Sequence, residues 1–258
     1  PDEEKIIAAV ILLPHISNYT DFSLLAAYEG VSLSYIKNVR ELGRPDLVIL
    51  PGSKNTMGDL LWLRQSGLEA SIQRLAKEGK RIIGICGGYQ MLGKTIRDPD
   101  CMEHGGLLRG IGLLPAATCF GNKKHRTRVT GKIEKQETCY QTLSHVEFEG
   151  YEIHMGDTVL EEGATARSFA VLKDSVNNTC YNDGYVKDNI LGTYVHGILD
   201  SPQLLKALLT PLFEEKGLQM EAVEYEDHYR YKLRQYDLLA DVIREHMDMK
   251  AVYEMLGL

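Results

Sequence analysis

Cys86 is the residue whose surroundings best suit covalent chemistry. It closes the apolar run Arg81-Ile-Ile-Gly-Ile85 and is followed by Gly87-Gly88, then Tyr89-Gln-Met-Leu92. A short apolar run bounded by glycines reads as a buried strand of a parallel sheet, and the residues from Tyr89 onward have helical character. Cys86 therefore occupies a strand-to-helix turn, where glycines at 84, 87 and 88 permit the sharp chain path and close packing of a nucleophile elbow. The thiol there meets a helix N-terminus, whose partial positive charge favours thiolate, the attacking form. Most lone cysteines are buried and inert; the glycines crowding this one favour the nucleophile. A thiol nucleophile needs a base. Among eight histidines, His196 stands out because it ends a second apolar run, Ile190-Leu-Gly-Thr-Tyr-Val195. Strands ending on one sheet edge can bring such side chains within hydrogen-bond reach.

Two other spacings suggest different chemistry and are set aside. Gly88-Tyr-Gln-Met-Leu-Gly-Lys-Thr95 matches the phosphate-loop pattern G-x-x-x-x-G-K-[ST] after a strand. Its four intervening residues are mostly bulky, and no apolar strand ends in a magnesium-binding Asp, so nucleotide binding is not expected there. Cys101-Met-Glu-His104 offers two metal ligands without a second pair and reads as a surface loop; no metal is expected.

The elements that must position Cys86 and His196 follow an alternating pattern. Lys5 to Leu13, Val31 to Ile36, Asp46 to Leu50 and Arg81 to Ile85 read as strands. Helices read between them: Phe22 to Tyr28, with Asn18 and Asp21 as caps; a segment around Asp59 to Arg64; and one from a Ser66 cap to Lys77, ended by Gly79. This predicts an α/β fold, a doubly wound, mostly parallel sheet flanked by helices, with function at the carboxyl ends of its strands. The Pro51-Gly52-Ser53 loop and Cys86 both fall there. From about 112 to 184 the texture changes to short, alternating runs (Arg128 to Glu134, His145 to Phe148, Phe169 to Leu172), predicting an antiparallel β extension. C-terminal helices are expected over about 201 to 258. They begin at Ser201-Pro202 and include an amphipathic stripe from Asp227 to Met249.

The chain has 258 residues, 44% hydrophobic and 25% charged, with a net charge of -7. That length allows ample core, and the acidic balance argues against nucleic-acid or anionic-membrane partners. No apolar run approaches a membrane span and no secretory signal opens the chain. Five cysteines without C-x-x-C pairing point to reduced thiols and a cytoplasmic setting. The start at Pro1, without Met, reads as excision from a longer polypeptide.

Gly84-Ile-Cys-Gly-Gly-Tyr-Gln90 resembles the nucleophile signature of class I glutamine amidotransferase domains. Pro51-Gly-Ser-Lys-Asn-Thr-Met-Gly-Asp-Leu60, Tyr151-Glu-Ile-His-Met-Gly156 and Gly192-Thr-Tyr-Val-His-Gly-Ile198 are similar to the C-terminal domain of the cobyric acid synthases. Pro14 to Asn18 and Tyr236 to Asp241 agree at either end, so the resemblance covers nearly the whole chain and implies a single domain over 1–258. It implies hydrolysis of glutamine, with ammonia passed to an N-terminal synthetase domain absent from this chain. That domain would use ATP and Mg²⁺ to amidate carboxylates of adenosylcobyrinic acid a,c-diamide, a corrinoid; no cofactor is implied here. The resemblance implies Cys86 as nucleophile, His196 as its base, Gly87 and the Gly52-Ser53 backbone as oxyanion donors, and Gln90 as a glutamine-holding residue. Most class I domains place a Glu two residues beyond the histidine; here Ile198 stands there. The cobyric acid synthases share this departure, so the resemblance implies a Cys-His dyad; Asp200 and Glu152 are the stand-in carboxylates, each read first as structural, and the role of Tyr151 to Gly156 stays open. The rivals are a related glutaminase, serving cobyrinic acid a,c-diamide synthase or a cell-wall precursor amidase, and a non-catalytic docking relative.

Overall fold

The structure, a computed structural model, describes residues 4–220 together with Ala240 and Arg244, and the stripe from Asp227 to Met249 lies outside that range. The chain divides into two units, Pro1–Met220 and Glu221–Leu258, and the elements described below belong to the first.

Strands β1 (Ile6–Ile11), β2 (Val31–Ile36), β3 (Leu47–Leu50), β4 (Arg81–Ile85) and β11 (Ile190–Thr193) form the parallel part of one mixed sheet, in the order β2-β1-β3-β4-β11. Every residue of β3, β4 and β11 is buried, as parallel strands covered on both faces require. The edge strand β2 instead exposes Ser34 and Tyr35. On one face Ala9, Ile11, Val48, Leu50 and Ile82 pack with three helices: α3 (Thr56–Gln65), α4 (Leu68–Lys77) and α5 (Gly87–Leu92). The stripe Leu68, Ile72, Leu75 and Ala76 makes α4 fit that face. Helix α6 (Pro202–Lys216) is tied to β4 by a bidentate pair, the Arg81 guanidinium donating to both Glu215 carboxylate oxygens at 2.7 and 2.8 Å.

The sheet continues beyond β11 through β10 (Cys180–Lys187), β9 (Arg167–Asp174), β7 (Ala116–Ile133), β5 (Thr95–Asp98) and β6 (Gly106–Arg109), with β8 (Glu147–Leu160) paired to β7. Apart from the parallel β5–β7 pair, these pairings are antiparallel. The expected α/β fold with an antiparallel extension is the observed one. The extension is built of longer strands than the sequence indicates, β7 having 18 residues and β8 having 14.

Three local expectations are corrected. Ser66 ends α3, and the residue preceding α4 is Gly67, at φ 78°. Asn18, at φ 55°, precedes a 3₁₀ turn (Tyr19–Phe22) and a short α1 (Ser23–Ala27) without a side-chain cap bond, and Asp21 caps nothing. Ser201 does cap α6, accepting from the Leu204 amide, with Pro202 at the first turn. The phosphate-loop match also finds its physical answer. Its Gly-Lys-Thr end opens strand β5 rather than a helix, and the Lys94 ammonium pairs with Glu161. Cys101 and His104 lie exposed on the loop after β5, where the Asp98 carboxylate accepts the amides of Met102, Glu103, His104 and Gly105.

Among the described residues, no helix is long and apolar enough to cross a membrane.

Candidate active site

Cys86 joins β4 to α5 with φ 52° and ψ -110°, a conformation that non-glycine residues rarely adopt. Such backbone costs about 1–3 kcal/mol and persists only where packing enforces it. The enforcement is visible. Helix α5 lies so close to β3 that a Cβ on Gly88 would stand 2.0 Å from the Leu50 carbonyl oxygen. The Cys86 amide donates to the Thr193 carbonyl at 2.8 Å, which locks the turn to the end of β11. The thiol is buried and donates to the Ile153 carbonyl on β8 at 3.5 Å.

His196 stands three residues beyond β11 and is fully buried. Its Nδ1 hydrogen-bonds Asp21 Oδ2 at 2.7 Å, while Asp21 Oδ1 accepts the Gly197 amide at 3.1 Å. With Nδ1 donating to the carboxylate, Nε2 is the nitrogen left for Cys86. Burial alone would lower the imidazole pKa. The hydrogen bonds to Asp21 and Cys86 and the attraction of both groups prevail, raising it from 6.5 to about 9. The imidazole is thus an imidazolium at neutral pH. The Asn18 amide nitrogen lies 3.0 Å from Nδ1 and 3.2 Å from Nε2, and the Tyr151 ring stacks on the imidazole, centroids 5.3 Å apart.

In place of the Cys-His dyad expected from the sequence, His196 has a carboxylate partner, and it is Asp21, which the sequence reading had as a helix cap, rather than Asp200 or Glu152. Asp200 lies in the 3₁₀ turn after His196, with its carboxylate near Gly197. Glu152 belongs to the opposite face of β8. Asp21 follows β1, so its loop opens on the same sheet edge as those after β3, β4 and β11. That shared edge was the available signal.

Gly52 and Ser53 follow β3 and are held by a small network. Ile16 and Ser53 form an antiparallel bridge, in which the Ser17 amide donates to Gly52 and the Lys54 amide to His15, each at 2.9 Å. Buried Asp59 of α3 accepts from the Ser53 hydroxyl at 2.6 Å and from the His15 amide at 3.1 Å. The bridge turns the Ser53 amide away from Ile16, and an added Cβ on Gly87 would come within 2.9 Å of the Ser53 nitrogen. The same construction at Gly52 would meet His196 Cε1 at 2.9 Å. The structure thus gathers Cys86, His196, Gly52, Ser53 and Gly87 at one point. Gln90 lies beneath it, only 3% exposed. Its amide donates to the Met155 carbonyl at 2.9 Å and to the Tyr194 hydroxyl at 3.2 Å, and its oxygen accepts from Thr56 at 3.3 Å.

Tyr151 to Gly156 form a wall of this site. Tyr151 and His196 exchange backbone hydrogen bonds at 2.8 and 3.1 Å, Ile153 receives the thiol, and Met155 is held by Gln90.

This architecture is that of the class I glutamine amidotransferases. A chain in the solved structure of PurLQS from Thermotoga maritima shares it at a TM-score of 0.60 and 21% identity, covering 81% of this chain and 99% of that one. A second solved glutamine amidotransferase gives 0.54 at 16% identity, covering 80% and 98%. More narrowly, the chain belongs to the CobB/CobQ-like glutamine amidotransferase domain family, whose model matches residues 7–204. It is 46% identical to the cobyric acid synthase of Ruminiclostridium cellulolyticum over 96% of its own length and 48% of that protein's. It is 42% identical to the cobyric acid synthase of Lachnoclostridium phytofermentans, over 98% and 50%. The chain spans about half the length of the relatives it matches.

Proposed function

We propose that this chain is the glutamine-hydrolysing half of an enzyme of the cobyric acid synthase kind. It releases ammonia for ATP- and Mg²⁺-dependent amidation of corrinoid carboxylates by a synthetase half. The observation that carries the glutaminase reading is the strained Cys86 turn beside an Asp21-supported His196, with the Ser53 backbone packed against Gly87.

In this reading the Cys86 thiolate attacks the side-chain amide carbon of glutamine. The carbonyl electron pair moves onto oxygen, and the two amides, preorganised by the bridge and the helix start, receive the oxyanion. The C–N bond then breaks as His196 gives its proton to the departing ammonia, leaving a glutamyl thioester. Water attacks that carbonyl and loses a proton to His196, and glutamate departs from the restored sulfur. Asp21 holds the imidazole in the needed tautomer. Gln90 acts through β8, fixing the strand whose Ile153 carbonyl meets the thiol. Five free cysteines accord with a cytoplasmic setting.

The test supplies the chain with glutamine alone, then with the synthetase half, ATP, Mg²⁺ and adenosylcobyrinic acid a,c-diamide. Glutamate release should be slow alone and rise on the order of tenfold when the halves are coupled. Calorimetry should find no ATP binding to the chain by itself. Submillimolar ATP affinity lost in Lys94→Ala, or corrinoid amidation by the isolated chain, would overturn the reading.

A further inference from the structure

The face of β8 turned away from Cys86 carries a second constellation. His125 of β7 and His154 of β8 are direct partners in the antiparallel ladder, and Glu152 lies two residues along on the same face. Their ligand atoms all lie within 4.8 Å of one another, and Glu152 Oε2 is 3.1 Å from His125 Nε2. A tetrahedral zinc-class site places its ligand atoms about 3.3 Å apart, and the contacts of Glu152 with His125 at 3.1 Å and with His154 at 3.7 Å lie on either side of that spacing. Glu152 is 2% exposed and His154 is buried at its ring, while His125 faces the opening of a cleft of about 300 Å³.

The hydrogen bonds around His154 point the same way. Its Nδ1 lies 3.1 Å from the Gly156 carbonyl, an oxygen that can only accept, so the proton sits on Nδ1. That leaves Nε2 turned to Glu152 Oε1, 3.7 Å away. Backbone-fixed Nδ1–H with a free Nε2 is also how metal-ligating histidines are commonly oriented. The Tyr181 hydroxyl holds the other Glu152 oxygen, and Asp157 and Asp174 line the same cleft, which adds negative potential. Stacking on Tyr194, with centroids 3.7 Å apart, fixes the His154 ring plane.

We propose that His125, Glu152 and His154 form a binding site for one divalent transition ion of the zinc class, with the fourth position open to the cleft. Two imidazoles and one carboxylate favour such an ion over calcium or magnesium, which prefer all-oxygen ligands. The ion would brace β8 on the face opposite the one that meets Cys86 and His196.

The test uses the full chain, stripped with a chelator and dialysed against Zn²⁺, then against Co²⁺ as a spectroscopic probe. One equivalent should be retained, with a visible cobalt spectrum of nitrogen and oxygen ligation and no thiolate charge-transfer band. His125→Ala, at a half-exposed position, should weaken binding on the order of 100-fold while the fold survives by circular dichroism. Glu152→Gln should do the same in any preparation that retains its fold. Binding unchanged in His125→Ala would overturn the proposal. So would retention well below one equivalent, or a thiolate band, which would put the ion on Cys101, Cys119 or Cys180.

Discussion

Cys86→Ala should lower glutamine hydrolysis by at least on the order of 10⁴-fold, because the substitution removes the attacking atom and leaves only binding and the amide pair. Circular dichroism should show the fold retained, since alanine fits the space the thiol leaves. Cys86→Gly separates chemistry from strain. Relief of the positive φ contributes about 1–3 kcal/mol, and the lost backbone entropy of glycine costs about 1 kcal/mol. The net expectation is an inactive protein about 1 kcal/mol more stable than the parent, read by denaturant unfolding. Turnover within tenfold of the parent in either variant would remove Cys86 from the chemistry. A less stable Cys86→Gly would mean that the turn is not strained.

Asp21→Asn should lower kcat on the order of 10²–10⁴-fold and also move the pH profile. The carboxylate fixes Nδ1–H and favours the imidazolium, whereas an amide can present its own N–H to Nδ1 and select the wrong tautomer. The sign follows from His196, whose pKa is raised to about 9. The proton needed by departing ammonia is therefore in place at neutral pH, and kcat/KM should fall only as pH rises through about 9. Without the Asp21 charge that alkaline limb should shift downward, towards 6.5. A variant that loses rate but keeps its limb near pH 9 would make Asp21 a merely structural partner of the Gly197 amide.

What was legible in the sequence was whatever burial writes strongly. Cys86 and His196 follow runs buried on both faces, and parallel strands of that kind leave an unbroken apolar signature. Asp21 was hidden for the opposite reason: it acts 175 residues away from His196, and an Asp near a helix start reads as a cap. Ser66 misled in the same manner, since Gly67 at positive φ makes that turn instead. The extension was only partly visible. Strand β7 is half exposed and its register shifts between Cys119 and Lys124, so Gly121-Asn122 and the basic residues after it look like a loop. The glycines beside Cys86 were read as allowing the turn and close packing. Which segments pack there, α5 against β3 and the Ser53 loop, depends on contacts between distant segments that no local pattern carries.

The central claim is that the Cys86 sulfur forms the bond to the glutamine side-chain carbon. A glutamine-analogue diazo-ketone, incubated with the full chain and followed by intact mass and peptide mapping, tests it most directly. The account predicts one adduct per chain, located on Cys86, formed more slowly in Asp21→Asn and blocked by excess glutamine. Adducts on Cys101, Cys119, Cys139 or Cys180 with Cys86 unmodified would contradict it.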